Sequence, residues 1–387
     1  MILESLRLTG FRNYAELCCD FSPGVNLICG QNAQGKTNLL EAICYLSQGG
    51  AFRTRKEAEL IRFGAEFADL EARVFSYGRS QTLRAVMFAG RKPRQLYLGG
   101  VKQKSREQMN GVLCTVLFCP EDLLVLKKGA ADRRRLLDDA LCQLRPKYAQ
   151  ALEEYNRILQ QKSAALKAQA ESPSWISVLP EYNERMAKLG ALLIHTRARY
   201  LRELSRRAEV FHLDSSGGKE HLSLHYQTVS TIEDPFAPQI ELYSQLQEHQ
   251  ESHFRAELES MQCLSGPHKD DFDARLDGLS IRSFGSQGQT RTAAISLKLA
   301  ERDIFEADTG ELPVLLLDDV LSELDAGRQD FVVNHIKRGQ VFITCCDVDR
   351  LTEIGKTIQV ENGTLKVDHA GHSEAHCDEE SEKEILR

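Results

Sequence analysis

The sequence predicts an α/β protein, in which a mixed sheet with flanking helices and an antiparallel β layer is interrupted by an inserted, mainly helical arm. Three observations predict this class. A glycine-rich loop at Gly30–Thr37 lies between an apolar strand and an amphipathic helix. Residues 121–263 have the long, charged periodicity of helices, and strand and helix patterns alternate again after them. The predicted domains are therefore a split head at 1–120 and 264–367 and an arm at 121–263.

The first third of the chain is predicted to form the antiparallel layer and the strand and helix around the loop. Alternating apolar and polar residues, bounded by glycine turns, mark most of its strands. The predicted strands are Ile2–Leu8, Ala15–Phe21, Val25–Cys29, Phe67–Phe75, Gln81–Phe88, Gln95–Leu98 and Val112–Phe118. The predicted helices are Asn38–Leu46 and a short one at Lys56–Phe63.

The arm and the last third are predicted from helical spacing of apolar residues and from short apolar runs. In the arm we expect helices at Arg133–Leu144, from Pro146 onward, at Trp175–Phe211 and at Ile240–Met261, with a strand at His221–Val229. After it we expect strands at Phe272–Leu276, Val314–Leu317 and Val341–Thr344, and helices at Gly288–Ala307 and Gly327–Ile336.

The loop fits the phosphate-binding pattern G-x-x-x-x-G-K-[ST] at every specified position. Its residues are Gly30, Gln31, Asn32, Ala33, Gln34, Gly35, Lys36 and Thr37. Backbone N–H groups at the start of the following helix would point at an anion, and the helix dipole would favour negative charge there. We expect Lys36 to reach the β- and γ-phosphates of ATP and Thr37 to bind Mg²⁺. A glycine turn that fits the pattern by chance would lack the flanking strand and helix.

Two carboxylates end the apolar strand Val314–Leu317, in the arrangement called Walker B. Asp318 is expected to bind the Mg²⁺ ion, and Asp319 to act as the catalytic base that polarises an attacking water. Two acids after an apolar run also occur at ordinary strand ends that face solvent. The phosphate-binding loop in the same chain favours the Walker B interpretation.

Composition excludes several classes of protein. The chain has 387 residues, is 42% hydrophobic and carries a formal net charge of −7. An acidic protein does not coat nucleic acid by bulk charge, so DNA binding would need a local basic face. No apolar run approaches the length of a membrane span, and the first residues do not form a signal peptide, so a cytoplasmic location is expected. The 11 cysteines are scattered, which favours reduced, buried thiols over a metal site.

A second glycine motif precedes the helix predicted at Gly288–Ala307. It reads Phe284-Gly285-Ser286-Gln287-Gly288-Gln289 and is similar to the signature motif of the ATP-binding-cassette superfamily. The resemblance implies an ABC-type P-loop ATPase head, and it implies that Ser286, Gly288 and Gln289 contact ATP held by a second subunit. Ser322–Asp325 resembles the D-loop of the same superfamily. An ordinary helix-capping turn is the alternative for the first motif.

Further motifs, in order over residues 1 to 365, resemble the RecF family. They are Leu6–Tyr14, the phosphate-binding loop, Phe118–Leu123, Arg133–Asp138, Gly266–Asp271 and Ser286–Arg291. One departure concerns the switch histidine of transporter cassettes, where this chain has Thr344-Cys345-Cys346-Asp347. The tail at 368–387, with His369, His372, His376 and Cys377, has no counterpart, and we expect it to be disordered and acidic.

The RecF resemblance implies an ATP-dependent DNA-binding protein of recombinational repair. Its members bind duplex DNA and duplex/single-strand junctions at gaps, form a homodimer on ATP, act with RecO and RecR, and help to load RecA. Their ATPase is slow and stimulated by DNA. The alternative is a cassette ATPase that drives a protein-remodelling or membrane partner, and a third class is a small-molecule kinase.

Four basic clusters are candidate DNA contacts, although each one is more often a solvated surface. They are Arg53, Arg55 and Lys56; Arg91, Lys92 and Arg94; Lys127, Lys128 and Arg133–Arg135; and Arg197, Arg199, Arg202, Arg206 and Arg207. No recognition helix or zinc finger is present, so contacts are expected to phosphates rather than to bases.

Overall fold

A computed structural model describes residues 1–54, 56–169, 172–346 and 354–367. Arg55, Asp347 and the predicted acidic tail at 368–387 lie outside the described residues. In the described ranges, no helix is long and apolar enough to cross a membrane.

The chain divides into two compact units. The first unit contains Met1–Cys119, Glu311–Asp325 and the described residues from Val333 onward. The second unit contains Pro120–Gly310 and Ala326–Val332.

The described strands, in chain order, are β1 (Ile2–Phe11), β2 (Tyr14–Asp20), β3 (Val25–Cys29), β4 (Phe67–Ser76), β5 (Arg79–Phe88), β6 (Gln95–Leu98), β7 (Val101–Gln103), β8 (Thr115–Phe118), β9 (Leu222–Gln227), β10 (Asp271–Leu276), β11 (Leu279–Ser280), β12 (Val314–Leu317), β13 (Val341–Cys345), β14 (Lys356–Glu361) and β15 (Thr364–Val367). The described α-helices are α1 (Lys36–Gln48), α2 (Ala130–Leu144), α3 (Pro146–Ala168), α4 (Leu179–Ser216), α5 (Gln239–Ser260), α6 (Ile281–Phe284), α7 (Gln287–Thr309) and α8 (Ala326–His335).

An antiparallel sheet forms one layer of the first unit, in the order β2-β1-β4-β5-β6-β7. Period-2 alternation places Leu6 and Leu8 of β1 and Leu70 of β4 on the buried face, with their neighbours in the sequence more exposed. This sheet is the antiparallel β layer that the sequence predicts.

A second sheet of the first unit carries the phosphate-binding loop, in the order β15-β14-β3-β13-β12-β8. The strands β14, β3, β13, β12 and β8 run parallel, and β15 pairs antiparallel to β14 at the edge. The side chains of β8 and β12 are buried along the whole strand, as is usual where both faces of a parallel sheet are covered. Helix α1 contacts strands of both sheets, and Leu39, Leu40 and Ile43 join their common apolar core.

The second unit is built around α4, a helix of 38 residues that packs against α3, α5, α7 and the three-stranded sheet β11-β10-β9. Polar pairs lie inside it. Lys162 and Glu257 form an ion pair with side chains that are both fully buried. Arg197 is also buried and binds Asp138 through two nitrogens. Because each of these charges has an opposite partner, burial does not leave any of the four unpaired.

The unit boundary differs from the predicted domains in two regions, since residues 264–310 and Ala326–Val332 were both assigned to the head and both lie in the second unit. Residues 264–310 lie there because α7 packs along α4. The short helix predicted at Lys56–Phe63 is a 3₁₀ helix at Glu57–Leu60. The strand predicted from Val112 begins only at Thr115, after a turn in which Gly111 has a positive φ.

Two features of the C-terminal half were not predicted. The short helix α6 stands between β11 and the Ser286 motif, so the motif does not follow a strand directly. The hairpin β14–β15 follows the last predicted strand and pairs with β3. Its strands are only 6 and 4 residues long, too short for a clear periodic signal.

Candidate functional site

The phosphate-binding loop connects the buried end of β3 to the first turn of α1. Gly30 has a φ of 152°, and a Cβ atom there would lie 2.3 Å from the carbonyl oxygen of Val360 on β14. Only glycine therefore fits between the loop and its neighbouring strand. Lys36 is 7% exposed, and its ammonium donates to the carbonyl oxygens of Gly30 and Gln31. The loop thus holds the lysine charge in its own concavity, where a phosphate would also bind.

Thr37 and Asp318 meet at the start of α1 and the end of β12. The Thr37 hydroxyl donates to Asp318 Oδ1 over 2.9 Å, and Thr344 Oγ1 on β13 donates to the same oxygen over 3.0 Å. Burial raises the pKa of the Asp318 carboxyl above its ordinary value, and the hydrogen bonds from Thr37 and Thr344 oppose that rise. A hydroxyl and a carboxylate oxygen are the ligand types that Mg²⁺ prefers. These two residues fit the predicted metal site.

A protein cage around a metal is not present in the part of the chain that the structure describes, where no group of three or more His, Cys, Asp or Glu could hold an ion. Mg²⁺ usually takes one or two protein ligands and completes its shell with water and substrate phosphates. A site with Thr37 and Asp318 as its protein ligands would be of this usual kind.

Asp319 follows Asp318 in a left-handed backbone conformation, with a φ of 53°. Its backbone N–H donates to Thr344 Oγ1 over 2.7 Å, and Ser322 Oγ donates to its carboxylate over 3.0 Å. A non-glycine residue with this φ needs support from its surroundings, which these bonds supply. Because of this turn, the Asp318 carboxylate accepts from Thr37 and Thr344, whereas the Asp319 carboxylate accepts from Ser322. The two carboxylates thus have different surroundings, which is compatible with the separate metal and base roles that the sequence predicts.

Residues of the β1–β2 turn brace the loop from one side. Asn13 Nδ2 donates to the carbonyl oxygen of Gln34 over 2.7 Å, and the buried Tyr14 hydroxyl donates to that of Gly35 over 2.9 Å. Arg12 binds Glu41 of α1 through two nitrogens, at 2.8 and 3.0 Å. The Leu6–Tyr14 motif thus supports the phosphate-binding loop directly, a role that the sequence alone did not reveal.

The β14–β15 turn braces the loop from the other side. The backbone N–H of Asn362 donates to Gln34 Oε1 over 2.6 Å, and the N–H of Gly363 donates to the Gln34 carbonyl oxygen over 3.2 Å. These residues were missed, because the hairpin that carries them was not predicted. An Asn-Gly pair between two short apolar stretches is the hairpin signal that could have found them.

The Ser286 motif lies in the second unit and caps α7. Ser286 Oγ accepts from the Gln289 backbone N–H over 3.2 Å, and Gln289 Oε1 accepts from the Ser286 N–H over 2.9 Å, which is a capping box. Ser286 is exposed, and Gly288 is half-buried. The capping interpretation is therefore correct as local structure, and it leaves the N-terminus of a 23-residue helix at the surface.

Two members of the basic clusters are not available to DNA. Arg133 is 2% exposed and binds Asp271 through Nε and Nη2, each at 2.7 Å. Arg197 is 3% exposed and binds Asp138. Both belong to the interior of the second unit. The expectation that they face a duplex is wrong, because their charges are already paired inside the fold.

Sequence comparison identifies the family. A family model described as "RecF/RecN/SMC N terminal domain" matches residues 2–368. The DNA replication and repair protein RecF of Acetivibrio thermocellus is 36% identical over 348 residues, which cover 90% of this chain and 94% of that protein. RecF of Symbiobacterium thermophilum is 37% identical over 381 residues, which cover 96% and 100%. The chain belongs to the RecF family. The resemblance inferred from the motifs is confirmed.

Solved structures agree with the assignment to RecF. The recombination mediator protein RecF-ATPrS in the RecFOR pathway superposes with a TM-score of 0.89 at 32% identity, over 95% of this chain and 98% of that one. An SMC head bound to the C-winged helix domain of ScpA superposes with a TM-score of 0.55 at 17% identity, over 95% and 97%. The second likeness concerns the fold alone. Together they confirm the predicted ABC-type head.

Proposed function

We propose that this protein is an ATP-dependent DNA-binding protein of recombinational repair, which forms a homodimer on ATP at gapped DNA and, with RecO and RecR, helps to load RecA. Membership of the RecF family supports the repair role, and relatives of known structure are described as RecF-ATP and RecF-ATPrS in the RecFOR pathway. The observation that carries the proposal is the contact of Thr37 with Asp318 beside Lys36, since it joins the two nucleotide motifs into one site.

The ATP site would divide its work among the loop residues. Backbone N–H groups at the start of α1 would bind the phosphates, and the Lys36 ammonium would exchange its carbonyl partners in the loop for the β- and γ-phosphate oxygens. Thr37 and Asp318 would hold Mg²⁺, which when bound offsets the negative charge of the phosphates. Asn13 and Tyr14 would keep the loop in shape through their bonds to the Gln34 and Gly35 carbonyl oxygens.

Hydrolysis would be slow and would act as a switch. Asp319 is the proposed base that takes a proton from the attacking water, and Ser322 orients its carboxylate. ATP binding rather than turnover would then set the DNA-bound state.

The dimer would be built on the Ser286 motif. Ser286, Gly288 and Gln289 present the N-terminus of α7, where backbone N–H groups and the helix dipole favour an anion. We propose that the γ-phosphate of ATP held by a second copy of this chain is that anion. The Ser286 hydroxyl would then leave its capping bond to Gln289 and donate to the phosphate.

DNA binding would be electrostatic and would not depend on sequence. With Arg133 and Arg197 inside the fold, the exposed basic residues Arg91, Arg199 and Arg202 are better candidates for phosphate contacts. A monomer with a net charge of −7 would bind duplex weakly, whereas two subunits closed on ATP would present two basic surfaces to one duplex. The same proposal includes DNA and RecR as binding partners and the cytoplasm as the location of the protein.

A filter-binding assay with gapped DNA tests the proposed function. The parent protein should retain gapped DNA with ATP and Mg²⁺ and release it without ATP, and Lys36→Ala should retain little in either condition. Lys102→Ala removes an exposed lysine of the same unit that belongs to none of the basic clusters, and it serves as the matched control. Nucleotide binding without any DNA retention would instead favour a cassette ATPase with a protein or membrane partner.

A further inference from the structure

Two thiols meet beneath the phosphate-binding loop. The parallel strands β3 and β13 are neighbours in the sheet, and Cys29 at the end of β3 is the register partner of Cys345 at the end of β13. Their sulfur atoms are 3.1 Å apart, and the two residues are 0% and 9% exposed. Neither cysteine has a role in the nucleotide site described above.

The positions of these two residues suit a covalent bond. Adjacent strands lie about 4.8 Å apart, and directly opposed residues therefore fall within the Cα separation of roughly 4.4–6.8 Å that disulfides span. Closing the remaining gap requires a movement of about 1 Å, because the S–S bond is about 2.05 Å long. The sheet already holds both residues in place for it.

The charges around the pair also favour reaction. The hydrogen bond between the two sulfur atoms lowers the pKa of Cys29, and the nearby Lys36 ammonium lowers it further, against the effect of burial. That same bond, together with burial, raises the pKa of Cys345. One sulfur of the pair is therefore the better nucleophile, and the other supplies a proton.

We propose that Cys29 and Cys345 form a modification site, a dithiol that a small hydroperoxide converts into an intrachain disulfide. The Cys29 sulfur attacks one peroxide oxygen, the O–O bond breaks, and the alkoxide leaves with a proton as an alcohol. The Cys345 sulfur then attacks the sulfenic sulfur, the S–O bond breaks, and the hydroxide leaves with the second proton as water. Two thiols are oxidised and one hydroperoxide is reduced.

The disulfide would reach the phosphate-binding loop through one peptide bond. Gly30 follows Cys29 directly, and its carbonyl oxygen accepts from Lys36. On its other side Gly30 faces the Val360 carbonyl oxygen at a distance that leaves no room for a Cβ atom, so a displaced strand end would bring the loop closer to β14 or pull it away. A displacement of about 1 Å in groups that position a ligand can greatly reduce activity. This consequence rests on the proposed ATP function, whereas formation of the disulfide does not.

Peptide mass spectrometry of the full chain tests the site itself. Fully reduced protein is treated with hydrogen peroxide, quenched and digested without reductant. We expect a linked peptide pair that contains Cys29 and Cys345, that disappears after dithiothreitol, and that is absent in Cys29→Ala and in Cys345→Ala. The exposed Cys18 on β2 provides the control Cys18→Ala, which should still form the link. Absence of the link in oxidised parent and in Cys18→Ala would overturn the proposal.

Equilibrium dialysis with ATP tests the consequence. Oxidised parent should bind ATP roughly tenfold more weakly than reduced parent, within the range that small misplacements produce, and dithiothreitol should restore the affinity. Cys29→Ala and Cys345→Ala should bind ATP at the reduced parent's affinity with or without peroxide.

The exposed Cys346 offers a competing explanation, because its sulfur lies 3.2 Å from the Lys36 ammonium. If peroxide weakens ATP binding in Cys29→Ala as much as in the parent, Cys346 is the sensitive group and the proposed coupling is wrong. If the reduced parent binds no ATP while the Cys29–Cys345 link still forms, the proposed nucleotide function fails and the modification site stands.

Discussion

The phosphate-binding loop of the first unit and the Ser286 motif of the second unit are both anion-binding patterns, but they are supported differently. The loop is held by side chains or backbone from two other segments, the β1–β2 turn through Asn13 and Tyr14 and the β14–β15 turn through Asn362. The Ser286 motif is capped by its own helix through the bonds between Ser286 and Gln289, and its bonds to other segments run through long side chains, from Lys127 to the Gly285 carbonyl oxygen and from Gln289 to Glu220.

This difference in support affects how each motif would bind an anion. A loop braced on both sides keeps its shape without a ligand, so little ordering cost remains when a phosphate binds. A capping box at an exposed helix end satisfies its polar groups until a better acceptor arrives. The proposed nucleotide site therefore lies in a braced loop of the first unit, whereas the proposed contact with a second copy of the chain lies at a capped, exposed helix end of the second unit.

The largest effect is expected for Lys36→Ala. Its ammonium is the only fixed positive charge that the loop itself supplies to the phosphates, and charge-assisted hydrogen bonds contribute up to about 3 kcal/mol. We expect ATP affinity to fall by about a hundredfold in equilibrium dialysis. Lys102→Ala should bind ATP like the parent. Parental affinity in Lys36→Ala would mean that the loop does not bind the phosphates.

Asp319→Asn should separate binding from hydrolysis. The amide preserves the shape of the carboxylate but cannot accept the proton of the attacking water, so hydrolysis should slow by at least about a hundredfold. ATP affinity should stay close to that of the parent. The measurement is phosphate release in single turnover, beside dialysis. Hydrolysis at the parental rate would show that another group is the base.

Ser286→Arg tests the second unit in the same way. A long cation at the exposed end of α7 should block a closely packed partner without disturbing the nucleotide site of its own chain. Sedimentation with ATP should show a monomer for Ser286→Arg and a dimer for the parent. Ser244→Arg, at an exposed position of α5, is the matched control. An ATP-induced dimer of Ser286→Arg would remove the motif from the interface.

The smallest effect is expected for Gly363→Ala, which tests the bracing of the loop. Gly363 has a φ of 72°, and its Cβ would lie 2.5 Å from the Asn13 carbonyl oxygen. Backbone strain and displacement of the turn should lower the free energy of unfolding by about 1–3 kcal/mol and weaken ATP binding a few-fold. The measurements are thermal unfolding and dialysis.

Gly78→Ala is the control for Gly363→Ala. Gly78 has a similar φ of 74°, but nothing lies within 4 Å of its Cβ position, and it is far from the loop in the sequence. Gly78→Ala should therefore show backbone strain alone, without any loss of ATP affinity. Equal ATP affinities in both variants would mean that the β14–β15 turn does not support the loop.

The sequence predicted the first half of this comparison better than the second. The phosphate-binding pattern and the apolar run before Asp318 are local patterns. Neighbouring residues are therefore enough to predict a strand, loop and helix at the first and a strand followed by a turn at the second. The bracing contacts were not predictable, because Asn13 and Asn362 meet Gln34 from positions far apart in the chain.

Charge patterns were the least reliable guide. Arg133 and Arg134 are neighbours in one basic run, yet Arg133 is buried against Asp271 on β10 while Arg134 is half-buried and donates to the Asp270 carbonyl. A one-dimensional pattern cannot show which member of a run turns inward. Arg197 and its neighbour two positions on, Arg199, differ in the same way, one paired inside the unit and the other exposed.

A salt titration of gapped-DNA binding, with and without ATP, tests the central proposal most directly. With ATP, log K should fall linearly against log salt by about 0.9 for each phosphate contacted, and Arg199→Ala/Arg202→Ala should have a shallower slope with unchanged ATP affinity. Without ATP, binding should be weak at every salt concentration. Equal affinity for gapped DNA with and without ATP, in protein that binds ATP, would contradict the account.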